Sequence, residues 1–203
     1  MGQRLAAPGF RTVPRQTASR KDECYGFTVP DVTLKPLTEH ERDAFIEEEI
    51  ADYAVQQVRD AGWPRDRALD RARAELAPVL NREFAEGAEQ GHRLWSAMDS
   101  DGSCVGWLWV APIVDTVRLS VFLEQITVAK NFRRQGYGRA MLAALEELLA
   151  ATGVDELHLT VFVGNEPARR LYASTGYEQL DDDGRQCRLR KRLSQSSREH
   201  ELA

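Results

Sequence analysis

Apolar and polar positions along the chain follow two periods, and the switches between them mark the elements. Residues 121–128 are rich in β-branched and aromatic side chains, the composition of a strand. After a polar, basic turn, Met141, Leu142, Leu145, Leu148 and Leu149 recur at helical spacing, so the chain enters a helix at residues 136–138 with one apolar face. Thr152-Gly153 stops it. Upstream, residues 32–38 read as a first strand, and Thr38 with Glu41 three residues on has the pattern of a helix cap. The helix that follows, residues 41–61, carries Phe45, Ile46, Ile50, Tyr53, Ala54 and Val58 on its apolar stripe. Glu47, Glu48, Glu49 and Asp52 fall off that stripe and are expected on the outer side. Gly62-Trp63-Pro64 breaks the helix. A second amphipathic helix spans residues 66–80, with Pro78 near its end, and the polar residues 81–91 read as a loop.

From residue 92 the signal becomes β. Residues 94–98 and 104–110 flank a polar turn at 99–102 and predict an antiparallel hairpin. Trp107, Trp109 and Trp95 alternate along these strands, as core or cleft wall would. Residues 111–118 connect to the strand at 121–128. Residues 156–163 are another β-rich run, and a connection through the central helix implies a right-handed parallel neighbour. Asn165-Glu-Pro167 opens a last helix that stops at Gly176, and residues 177–180 and 186–193 close as a hairpin around Asp181-Asp-Asp-Gly184. The expected architecture is a single α/β domain, residues 28–193, with a mixed, mostly antiparallel sheet flanked by about four helices.

Composition narrows the function classes. A chain of 203 residues with 42% hydrophobic and 29% charged residues suits one well-buried core. The net charge of −5 argues against non-specific nucleic-acid binding by the body, and no apolar run reaches the roughly 20 residues of a membrane span. Residues 1–27 differ: Arg4, Arg11, Arg15, Arg20 and Lys21 occur with no acid before Asp22, and prolines interrupt any targeting helix. They are expected to form a flexible basic tail, and residues 194–203 a polar one. Cys24, Cys104 and Cys187 are odd in number and lack metal-ligand spacing, which fits reduced thiols in a cytoplasmic protein. The four histidines are scattered, so the sequence supports no metal site.

The chemistry centres on the turn after residue 128. A strand, a glycine-bearing turn and a helix N-terminus together favour an anionic ligand, because first-turn amides lack partners and the helix dipole attracts negative charge. Gly136 and Gly138 clear space for phosphate against the backbone, and Arg133, Arg134 and Arg139 add positive charge. A P-loop would need Lys-Ser or Lys-Thr where Arg139-Ala140 stands, and a dinucleotide fingerprint would need Gly or Ala at Met141. What remains is Arg-x-x-Gly-x-Gly after a strand, and downstream Asn165, Ala168, Leu171, Tyr172, Gly176 and Tyr177 form Asn-x-x-Ala-x-x-Leu-Tyr-x-x-x-Gly-Tyr.

These two motifs, in this order, resemble the GNAT superfamily of acetyl-CoA-dependent N-acetyltransferases, over roughly residues 32–193. The resemblance implies that the strand ending at Val128 splays from the one ending at Val163, and that the pantetheine arm of acetyl-CoA lies in the gap along Ile126, Thr127 and Val128. It places the pyrophosphate at Arg133, Arg134, Gln135, Gly136, Tyr137, Gly138 and Arg139, with Asn165 as a further contact. Glu124 is the candidate base, acting through a water, and Tyr172 the candidate acid for the leaving thiolate. The first two helices would border the entrance of the amine, and Glu47, Glu48, Glu49 and Asp52 of the first favour a cationic acceptor, either a small molecule or a peptide. No Cys or Ser stands beside a His, so direct transfer in a ternary complex is expected rather than an acetyl-enzyme. A catalytically silent acyl-CoA-binding or sensor module, and a protein that binds nucleic acid through its basic tail, stay open as alternatives. The sequence leaves the oligomeric state open, a homodimer included.

Overall fold

In the computed structural model, which describes residues 29–114 and 117–194, seven strands and four helices alternate along the chain. The order is β1 (Val32–Pro36), α1 (Glu39–Asp60), α2 (Ala68–Glu89), β2 (Arg93–Asp99), β3 (Cys104–Ile113), β4 (Ser120–Val128), α3 (Tyr137–Ala151), β5 (Glu156–Phe162), α4 (Glu166–Ser174), β6 (Glu178–Asp182) and β7 (Gln186–Arg192). A single 3₁₀ turn, Lys130–Phe132, stands between β4 and α3. The expectations for residues 1–27 and for nearly all of the C-terminal tail lie outside the described residues.

The strands form one mixed sheet in the order β1-β2-β3-β4-β5-β7-β6, in which β4 and β5 are the parallel pair. The expected element order is therefore met. α3 and α4 cover one face, where Met141, Leu142, Leu145 and Leu149 of α3 are fully buried against Leu108, Leu123, Leu157 and Leu159. Each such side chain contributes about 1.5–3 kcal/mol on leaving water. α1 and α2 cover the β1–β4 half of the other face, with Phe45 and Phe84 edge to face at 5.7 Å and Phe84 tilted over Trp109 at 4.9 Å. Trp95 faces the α3 side, and Trp109 the α1 side, both buried.

Local chemistry explains most boundaries. Thr38 caps α1: its hydroxyl accepts from the Glu41 amide at 3.3 Å, and the Glu41 carboxylate accepts from the Thr38 amide at 2.8 Å. The hydrogen bond from the Thr38 hydroxyl, more than any other cause, holds the Glu41 carboxyl below its ordinary range. The second helix departs from its expected extent. It continues through Pro78 to Glu89, so residues 81–89 are helix and not loop. Proline removes one amide and clashes with the preceding turn. Here Leu80, Phe84 and Gly87 keep the buried face in step beyond it, and packing against α1 and β3 outweighs the local defect.

Two irregularities shape the centre of the sheet. β3 pairs Trp109 with Gln125 and Val110 with Leu123, which leaves Glu124 as the extra residue of a bulge in β4. β4 and β5 pair only from Ser120 to Leu123, so the edge of β4 beyond the bulge has no strand beside it on that side. Gly106 lets β3 approach this segment: a Cβ there would sit 2.1 Å from the Thr127 carbonyl oxygen and 2.8 Å from Met141.

Candidate active site

The open edge of β4 and the start of α3 meet at one place. Ile126 and Val128 point into the α3-side core, and Gln125 and Thr127, opposite Trp109 and Trp107, point toward α1. The turn then brings Gly136 to α3 in the left-handed region, φ 90°. The amides of Arg134, Gln135, Gly136, Tyr137 and Gly138 donate to no acceptor among the described residues. A Cβ at Gly138 would fit tightly, 3.3 Å from Leu171 and 3.6 Å from Val128. Free amides at a helix N-terminus beside an unpaired strand edge fit a pyrophosphate followed by an extended amide-bearing arm.

The arginines are arranged differently from the expectation that all three face a phosphate. Arg133 donates from Nε to the Val128 carbonyl oxygen at 2.9 Å and pairs with Asp52 of α1 at 3.2 Å. Arg139 donates to the Ser174 hydroxyl at 2.6 Å and to the Ser174 carbonyl oxygen at 3.3 Å, which ties α3 to α4. Arg134 is exposed and holds φ 65°, a conformation that costs a residue with a side chain. Gln135 bonds back to the Asn131 carbonyl oxygen at 2.8 Å, and the Tyr137 ring packs edge to face on Phe132 at 5.4 Å. Arg133 and Arg139 are thus engaged within the fold, while Arg134 is exposed and has no side-chain partner among the described residues.

Of the proposed catalytic pair, Glu124 is exposed on the bulge. Tyr172 is buried on α4, 5.4 Å from the Tyr177 ring, and its neighbour Leu171 lies against Gly138. Burial raises the Tyr172 hydroxyl to about 12, so it keeps its proton at any working pH. Asn165 caps α4 by accepting from the Ala168 amide at 3.3 Å, which accounts for its side-chain oxygen without a cofactor.

The acids of α1 do not form the uniformly solvated outer face expected for them. Arg73 of α2 holds Glu47, and Arg133 holds Asp52. Glu49 turns inward, half-buried, and its Oε1 accepts from the Thr127 hydroxyl at 3.5 Å. The Gln125 amide donates in turn to Thr127 Oγ1 at 3.2 Å. Sequence periodicity missed this residue. Its position three after Ile46 and one before Ile50, at the edge of the apolar stripe, was the available signal.

Among the described residues no group of three or more His, Cys, Asp and Glu could hold a metal, and no helix is long and apolar enough to cross a membrane. Cys104 is half-buried and burial pushes its thiol up; Cys187 is fully buried. Neither is a ready nucleophile.

Comparison with known proteins gives the same picture. The family model described as the acetyltransferase (GNAT) family matches residues 43–177. An uncharacterized N-acetyltransferase of Bacillus subtilis, YycN, is 28% identical over 151 residues, 74% of this chain and 94% of its own. The aminoglycoside N(6')-acetyltransferase type 1 of Serratia marcescens is 30% identical over 129 residues, 61% of this chain and 83% of its own. The crystal structure of YycN superposes with a TM-score of 0.58 at 26% identity, over 74% of this chain and 94% of that one. The spermidine N-acetyltransferase of Vibrio cholerae, crystallised with CoA and spermine, shares the fold with a TM-score of 0.56 at 19% identity, over 81% of this chain and 97% of that one. The chain belongs to the acetyltransferase (GNAT) family, and it is an enzyme of the acyltransferase class.

Proposed function

We propose that this enzyme moves the acetyl group of acetyl-CoA directly to a primary amine within a ternary complex. The observation that carries the reading is the open edge of β4, residues 124–128, beside the free amides of residues 134–138. The pantetheine arm lies along Ile126, Thr127 and Val128 as an added strand, and a β4 amide polarises the thioester oxygen. The pyrophosphate rests on the amides at Gly136 and Gly138, with the exposed Arg134 guanidinium on the same turn. Arg133, Gln135, Tyr137 and Arg139 hold the turn in shape, and Asn165 fixes the start of α4.

An alkyl ammonium has a pKa of about 10.4, so the acceptor arrives protonated and must lose a proton before it can attack. Glu124, exposed on the bulge, takes that proton through a water. Tyr172 stays neutral and donates a hydrogen bond to the leaving sulfur. With a pKa of about 12 against about 8.5 for a thiol, it assists without giving its proton up completely. The raised thiol of Cys104 and the burial of Cys187 support transfer without a covalent acetyl-enzyme.

The acceptor is a cationic amine. Relatives and neighbours whose names specify aminoglycosides and spermidine act on such compounds, and the α1 side of the site carries Glu48 and Glu49 besides the paired Glu47 and Asp52. A thiol-release assay across polyamines, amino sugars and lysine-bearing peptides, with acetyl-CoA as donor, tests the reading. Acetyl-CoA-dependent release with at least one amine is the expected outcome; tight acetyl-CoA binding with no release across the panel would point to a silent binding module.

A further inference from the structure

Glu49 is a half-buried carboxylate that pairs with no cation among the described residues. Its hydrogen-bond partners, Thr127 and Gln125, are neutral, and no ion pair to it occurs among the described residues. The other acids nearby differ: Glu47 has Arg73, and Asp52 has Arg133. Burial, above all, raises the Glu49 carboxyl, and the charges of Asp52 and Glu48 push the same way. A carboxylate taken out of water beside two like charges is costly unless a cation joins it.

Its place gives that cation a source. Thr127 lies between Ile126 and Val128, on the segment of β4 that β5 leaves open, and three residues from Glu124. Glu49 reaches Thr127 from α1, on the face of the sheet opposite α3. A cation resting on Glu49 would therefore stand beside the open strand edge, on the side away from the free amides of α3.

We propose that Glu49 is the acceptor anchor: its carboxylate binds the ammonium group of the incoming amine and holds it beside Thr127, in line with the open edge of β4. The proposal rests on the reading of this enzyme as an amine acetyltransferase and adds the residue that recognises the amine. The ion pair supplies the counter-charge the pocket lacks. The held ammonium then gives one proton through water to Glu124 and attacks the thioester carbonyl; the C–N bond forms, the C–S bond breaks, and the second nitrogen proton goes to the thiolate. Among the described residues the titratable neighbours of Glu49 are Glu48 and Asp52 on α1, with Arg133 beyond Asp52, while Thr127 and Gln125 face it from β4. None of these replaces the amine as a partner.

The experiment compares the parent with Glu49→Gln and Glu49→Asp, using spermidine, kanamycin, a lysine-bearing peptide and the neutral arylamine aniline as acceptors. For the best cationic acceptor, Glu49→Gln should lower kcat/KM about 100-fold, mainly through the acceptor KM, because a charge-paired contact is lost. Acetyl-CoA affinity by calorimetry should stay within about two-fold, Glu49→Asp should recover part of the loss, and turnover of aniline should be unaffected. A Glu49→Gln enzyme within about three-fold of the parent on that acceptor would overturn the anchor and leave the amine reading intact. So would an equal loss of acetyl-CoA affinity, which would make Glu49 a support for β4, or a parent that prefers aniline. A parent that acetylates none of these amines overturns both.

Discussion

Arg133 and Asp52 form an ion pair of 3.2 Å that ties the turn after β4 to α1, while Arg133 Nε also holds the Val128 carbonyl oxygen at 2.9 Å. The two sides of the site, the proposed acetyl-CoA strand and the helix that borders the acceptor, are therefore fastened to each other. Both partners remain about half exposed, at 43% and 53%, and exposed pairs are worth about 0.2–1 kcal/mol. Asp52→Asn should accordingly lower the melting temperature by no more than about 4 °C. It should raise the acetyl-CoA KM by no more than about five-fold. Melting curves and steady-state kinetics check this, and a loss of several hundred-fold would mean that Asp52 touches the reacting groups.

Arg134 offers a cleaner probe of the phosphate turn than Gly136. A branched residue at Gly136 would strain a φ of 90° and crowd Pro30, 3.2 Å from the new Cβ, so Gly136→Val would disturb the fold as well as the ligand. Arg134→Gly removes a guanidinium and relieves a left-handed backbone of φ 65° at once. We expect an equal or higher melting temperature and acetyl-CoA binding weakened about ten-fold, the loss of one charge-assisted hydrogen bond. Calorimetry with acetyl-CoA decides; unchanged affinity would place the phosphates elsewhere.

Tyr172→Phe keeps the ring that packs against Tyr177 and removes only the hydroxyl. Turnover should fall roughly 10- to 100-fold with the acetyl-CoA KM unchanged. Because burial lifts the parent hydroxyl to about 12, the pH–kcat profile of the parent should show no basic limb from this residue below about pH 11. A parent-like turnover in the variant would leave Tyr172 as packing.

Much of this was readable in the sequence, and the exceptions have physical reasons. Met141, Leu142, Leu145 and Leu149 announced the buried face of α3, and Thr38 with Glu41 announced the start of α1, because periodicity and capping act within a few residues. Pro78 misled, since a local breaker was outweighed by contacts that Phe84 makes with Phe45 and Trp109, both remote in sequence. The motif at residues 133–139 located the turn but not the use of its arginines. Arg133 and Arg139 are engaged by Asp52 and Ser174, 81 and 35 residues away in the chain. Glu49 was hidden in the run Glu47-Glu48-Glu49, and only the position of β4 separates it from its neighbours.

Glu49 should also trade stability for function. Its carboxyl is raised in the folded protein, so the neutral form is the one the fold favours. That contribution is fully present below the unfolded value of about 4.3 and is lost as pH rises through the raised value. At pH 7 the charged side chain is a burden that Glu49→Gln removes while still accepting from Thr127. The variant should therefore melt above the parent at pH 7, with the difference gone by pH 4. A lower melting temperature at pH 7 would show that the charge supports the fold through a partner.

The central claim is direct transfer of acetyl from acetyl-CoA to an amine, and labelled acetyl-CoA tests it most directly. Incubated alone with the labelled donor and then denatured and desalted, the protein should carry no label. On addition of the best amine acceptor, label should appear in that amine as an amide, one for each free thiol released. Label bound covalently to the protein, or thiol released without an amide product, would contradict the account.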